Sequence, residues 1–120
     1  MFTIKEVTEK LDNIARDFNS LIISAYQSQD EQKEKYYKIE FYRLTFASSE
    51  LRKFEDWGFC AVTYIPQVER WACLFPRDYK YIGGRSYPYS EEDPPILFVS
   101  GVVDGILDEY LYKEYTQRHE

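Results

Sequence analysis

The chain has 120 residues, enough for one hydrophobic core and too few for two, so residues 1–120 read as a single globular domain. Apolar residues make up 44% and charged residues 30%, a balance that excludes a disordered chain. No stretch is apolar for long enough to cross a bilayer, and a net charge of −6 disfavours nucleic acid and anionic membranes as general partners.

The charge is unevenly spread. Residues 1–90 hold 13 acidic and 13 basic side chains, while residues 91–120 hold 8 acids against Lys113 and Arg118. Just before that acidic tail, Arg70, Arg77, Lys80 and Arg85 are opposed by Asp78 alone. The aromatic content is high, with 12 Tyr, 8 Phe and 2 Trp. Tyrosine serves sheet faces and cores, but its stiff ring and polar tip also suit interfaces.

The first element is a helix. Thr3 and Glu6 form a capping box, and Phe2 and Val7 stand where a hydrophobic staple places them. Ile4, Val7, Leu11, Ile14, Phe18, Leu21 and Ala25 then follow at alternating spacings of three and four, a stripe suited to covering a sheet or forming a helix–helix seam. Residues 27–35 read as a polar exit. The next stretch alternates Tyr37, Ile39, Phe41 and then Tyr42, Leu44, Phe46, which predicts a long strand with a bulge near Phe41 and Tyr42. Residues 48–56 read as a linker or a short helical turn.

Residues 58–75 read as a hairpin. Pro66 excludes a two-residue primed turn, so a loop of about four residues around Pro66 and Gln67 is expected. A loop centred there sets Cys60 opposite Cys73, Val62 opposite Trp71 and Phe59 opposite Leu74. It also puts Cys60, Val62, Tyr64, Trp71, Cys73 and Phe75 on one buried face. A second, projecting hairpin is expected around Gly83-Gly84, with Pro88 ending its pairing or lying on an edge. Residues 90–95 read as a linker and Ile96–Val99 as a short buried strand. Ser100 caps a last helix whose inner face is Val103, Ile106, Leu107, Tyr110 and Leu111. The fold class expected is α+β: an N-terminal amphipathic helix, an antiparallel meander of about four strands, and a C-terminal helix packed on the sheet.

Catalytic signatures are sparse. The one histidine, His119, is the penultimate residue, and no phosphate-binding glycine motif is present. Cys60 and Cys73 lack a histidine to activate them and are not in a C-x-x-C pair, so they read as packed thiols able to join only under oxidation. The N-terminus is a charged helix rather than a signal peptide, and free thiols imply a cytoplasmic setting. Asp104 and Asp108 lie one helical turn apart with Glu109 beside them, the basis of a minor reading as a carboxylate-dependent metal hydrolase. No cofactor or resident metal is expected, and the chain reads as a non-enzyme.

Binding is the leading expectation. Tyr79, Tyr81, Arg85, Tyr87 and Tyr89 combine the side chains most enriched at the energetic centres of protein interfaces, and Glu91, Glu92 and Asp93 steer a basic counterpart. The expected partner is another protein that the chain blocks or sequesters. Toxin immunity proteins and phage-encoded inhibitors of bacterial defence have this general size and composition. The alternative is a nucleotide or single-stranded nucleic acid stacked on the same tyrosines. A monomer or a homodimer built on the Ile4–Ala25 stripe fits either reading.

Overall fold

The structure is a computed structural model and describes residues 1–75, 87–88 and 95–118. Its elements are β1 (Phe2–Thr3), α1 (Ile4–Gln27), α2 (Glu31–Asp56), β2 (Ala61–Ile65), β3 (Arg70–Leu74), β4 (Tyr87–Pro88), β5 (Pro95–Phe98) and α3 (Gly101–Arg118). The α+β class, with an N-terminal helix, an antiparallel sheet and a C-terminal helix, is the one the sequence implies. The molecule measures 57 × 32 × 20 Å because α1 and α2 form a long helical hairpin, each about 36–39 Å at 1.5 Å per residue.

α1 starts as its sequence dictates. The Glu6 N–H donates to Thr3 Oγ1 at 3.0 Å and the Thr3 N–H donates to Glu6 Oε1 at 3.3 Å. Phe2 and Val7 are both buried, completing the staple. Ile4, Val7, Leu11, Ala15 and Ala25 are buried, but Leu21 is exposed. The stripe meets α2 along its length, and sheet packing is confined to its N-terminal half. Most of the stripe that the sequence offers as a homodimer seam is consumed within the chain. Gln29 takes a positive φ of 60° to turn the chain, and Asp30 caps α2 by accepting from the Lys33 N–H at 3.1 Å.

The strand expected over residues 36–46 is instead part of α2, and so are residues 48–56, expected as a linker or a short helical turn. Leu44, Ala47, Ser48 and Leu51 are buried, with Tyr37, Phe41 and Phe54 partly so, a helical spacing of three and four. Ile39, Tyr42 and Phe46 occupy the other side and are exposed, as is Tyr36 on the flank. A helix apolar on two sides writes a dense aromatic run, and such a run imitates strand alternation with a bulge where the two sides interleave. α2 ends at Gly58, whose φ of 97° reverses the chain. Phe59 then stacks on Phe75 with ring centroids 3.8 Å apart.

The sheet order is β1-β2-β3-β5-β4, with every pair antiparallel. The β2–β3 loop, Pro66 to Glu69, has the expected length, but Glu69 supplies its positive φ of 53° and shifts the register by two residues. Val62 pairs with Cys73 and Tyr64 with Trp71. A shift of two keeps side chains on their faces. Val62, Trp71, Cys73 and Phe75 are accordingly buried together, with Tyr64 partly buried beside them. Cys60 departs from the expectation: it precedes β2, is exposed and is not opposite Cys73, so no disulfide forms and both thiols are free. A second cluster, Ala61, Ala72, Leu74 and Ile96, draws only on strands. Trp71, fully buried, has Tyr64 and Tyr115 each at 5.6 Å and Phe2 at 6.4 Å, and its Nε1 has no hydrogen-bond partner among the described residues.

α3 closes the core with Val103, Ile106, Leu107 and Leu111 buried and Tyr110 partly buried, as expected of its inner face. The Val103 N–H donates to Ser100 Oγ at 3.4 Å. Tyr115 tends the sheet edge that the short β1 leaves open: its hydroxyl donates to the Tyr64 carbonyl at 3.1 Å and accepts from Thr63 Oγ1 at 3.2 Å. Ion pairs Lys10–Glu114 at 2.7 Å and Glu6–Arg118 at 2.9 Å tie α1 to α3.

The phase of α2 is directly testable by urea unfolding. Leu44→Ala is expected to lower stability by about 2–5 kcal/mol, and Ile39→Ala by under about 0.5 kcal/mol. Two equal losses would contradict the helix phase described here.

Candidate protein-binding surface

Of the expected contact residues, the structure describes only the backbone of Tyr87, in β4 opposite Ile96 on the sheet edge, with Pro88 beside it opposite Pro95. Tyr79, Tyr81, Arg85, Tyr89, Glu91, Glu92 and Asp93 lie outside the described residues, as does the Gly83-Gly84 turn.

Asp104 and Glu109 on α3 have structural partners. Asp104 Oδ1 accepts from the Trp71 N–H at 2.6 Å, tying the first turn of α3 to β3. Glu109 takes Arg43 at 3.4 Å. Among the described residues no group of three His, Cys, Asp or Glu side chains gathers closely enough to hold a metal ion. No described helix is long and apolar enough to cross a membrane. Burial pushes the Cys73 thiol up to about 12, leaving it protonated at neutral pH.

Among the described residues, the outward side of α2 groups several exposed apolar side chains on one helix. Tyr36, Ile39, Tyr42 and Phe46 are 57%, 49%, 68% and 46% exposed. Ile39, Tyr42 and Phe46 stand opposite Leu44, Ser48 and Leu51 on the helix, with Tyr36 on its flank, so turning the three inward would expose the core side. Lys35, Ser49 and Lys53 extend the row to both ends. Its exposed apolar area is on the order of 500 Å², at the upper end of what monomers display without a function. The sequence held the signal, since Ile39, Tyr42 and Phe46 are spaced by three and four. Strand alternation in the same residues concealed it.

A buried polar cluster sets how this row is presented. Glu40, almost fully buried, accepts from Arg43 Nη1 at 2.7 Å and from the Tyr110 hydroxyl at 3.2 Å. Burial, with Glu109 and Glu40 nearby, pushes the Tyr110 phenol up to about 12. The hydrogen bond to Glu40 raises Arg43 further above its already high value. The cluster ties α2 to α3 through the Tyr110–Glu40 and Arg43–Glu109 contacts. At the tip of the helical hairpin, Ala25, Tyr26, Gln29, Asp30, Glu31 and Glu34 line an open hollow of about 380 Å³. Its acids are partly neutralised, Asp30 by Lys33 at 3.8 Å and Glu34 by Lys38 at 3.6 Å.

No protein-family model, no curated protein and no solved structure matches the chain.

Two measurements check this geometry. A thiol reagent at pH 8 is expected to label one cysteine, Cys60, in the folded protein and both after unfolding; fast labelling of Cys73 would contradict its burial. Asp104→Ala is expected to lower stability by about 1–3 kcal/mol, because it strips a buried N–H of its acceptor. A neutral outcome would show the Asp104–Trp71 contact to be incidental.

Proposed function

We propose that the protein is a cytoplasmic protein-binding module that blocks or sequesters a macromolecular partner, as an inhibitor or immunity protein does. The observation that carries this reading is the outward row of α2. Three large apolar or aromatic side chains, Ile39, Tyr42 and Phe46, sit exposed on a rigid helix with Tyr36 on its flank, and Glu40 and Arg43 tie that helix to α3. The core does not need them there. Aromatic anchors on a pre-organised element lose little entropy on binding, which is how interfaces of modest area gain affinity. In this reading the Tyr and Arg side chains of residues 77–89 form a second contact region, with Glu91, Glu92 and Asp93 steering association.

The test is capture from host lysate with the tagged protein, half the sample treated with nuclease. Tyr42→Asp combined with Phe46→Ser is expected to weaken capture at least about tenfold, or about 1.4 kcal/mol, with circular dichroism and Tm unchanged. Arg85→Glu with Tyr87→Ala is expected to weaken it independently. Capture that neither pair disturbs would end the proposal. A complex lost on nuclease treatment would replace it with single-strand binding on the tyrosines of residues 79–89.

A further inference from the structure

The row on α2 has a period as well as a composition. Lys35, Ile39, Tyr42, Phe46, Ser49 and Lys53 are separated by four, three, four, three and four residues. Such a spacing is that of any one line along a helix; what marks this line is the apolar Ile39, Tyr42 and Phe46 at its centre, the surface by which one helix packs along another. α1 is already spent on the inner side of α2, and among the described residues none covers the outward line.

We propose that a second copy of this chain occupies that line, its α2 running antiparallel across a two-fold axis between Ile39 and Tyr42. The proposal rests on the reading of the row as an interface, and the second copy competes there with the captured partner, which meets the row of the monomer. A two-fold contact must be self-complementary, and this one is. With Ile39 of one copy opposite Tyr42 of the other, the remaining layers are Lys35 on Phe46 and Gln32 on Ser49, each formed twice. Lys35 has no acidic partner among the described residues and lays its stem and ammonium on the Phe46 ring. Beside the seam, Tyr36 meets Arg43 and Glu31 meets Arg52. Arg43 is already held by Glu40 and Glu109, so little order is lost when Tyr36 stacks on it. No like-charged pair falls opposite in this register. A parallel, in-register pairing would set Lys35 and Lys53 each against itself.

The charge balance points the same way. α2 carries 6 acidic and 6 basic residues in a chain of net charge −6, so it is a surface on which two copies meet without net repulsion. Two rows of on the order of 500 Å² make an interface of about 1,000 Å², near the lower bound for a specific contact, so the expected Kd is micromolar rather than nanomolar.

Sedimentation velocity of the full chain from about 1 to 100 µM spans that range. The expected result is a monomer–dimer equilibrium whose midpoint rises at least tenfold in Tyr42→Asp, with circular dichroism unchanged. On a Cys60→Ser background, Gln32→Cys mixed with Ser49→Cys is expected to give a disulfide-linked dimer, and Gln32→Cys by itself none. A chain monomeric throughout, a dimer indifferent to Tyr42→Asp, or self-linking of Gln32→Cys overturns the proposal. If the chain is monomeric and Tyr42→Asp with Phe46→Ser still weakens lysate capture, only the pairing falls, and a different protein sits on the row. If capture is also unaffected, the reading of the row as an interface falls with it.

Discussion

Everything on the outer surface of α2 follows from how its inner side meets α1. Small buried residues, Thr8 and Ala15 on α1 and Ala47 and Ser48 on α2, line this helix pair. The Ser48 hydroxyl donates to Asp12 Oδ1 at 2.7 Å, and Arg52 pairs with the other carboxylate oxygen. Small side chains let two helix axes approach closely, and a directional polar contact fixes their rotation. A helix is rigid in cross-section. Once Leu44, Ser48 and Leu51 point inward, Ile39, Tyr42 and Phe46 have nowhere to go but outward. The aromatic row is thus a geometric result of the core contact, and the sequence filled it with side chains that water does not favour.

Much of the architecture was legible in local chemistry. Thr3 with Glu6, Ser100, and Pro66 each act through neighbours a few residues away, so a linear reading finds them. The faces of β2 and β3 were also legible despite a misplaced register, because a slip of two residues preserves the alternation. What escaped was α2. Its inner and outer residues are both apolar, so the period that marks an ordinary amphipathic helix is diluted. Deciding the matter requires knowing that α1 lies alongside, and no local window carries that. Cys60 was misjudged for a related reason: its alternation with Val62 is genuine, but β2 begins only at Ala61.

Charge tells a similar story. The sequence divides into a balanced body and an acidic end. In the fold, part of that acidic surplus returns to the body, with Glu114 on Lys10 and Glu109 on Arg43. Exposed pairs such as Lys10–Glu114 contribute little individually. Arg43 differs because Glu40 is buried and Tyr110 shares its carboxylate, which makes the group an orienting device more than a source of stability.

The connection between α1 and α2 is only Ser28 to Asp30, and this has a kinetic consequence. Helices joined so tightly meet at little cost in chain entropy, whereas pairing Phe2 with Val62 closes a loop of about sixty residues. Contacts near in sequence form sooner than distant ones. The helical hairpin is therefore expected to assemble ahead of the sheet and to serve as the template on which β2, β3 and α3 condense. In a refolding experiment, helical ellipticity would rise before the Trp71 indole is shielded from solvent. The reverse order would mean that the strands recruit the helices.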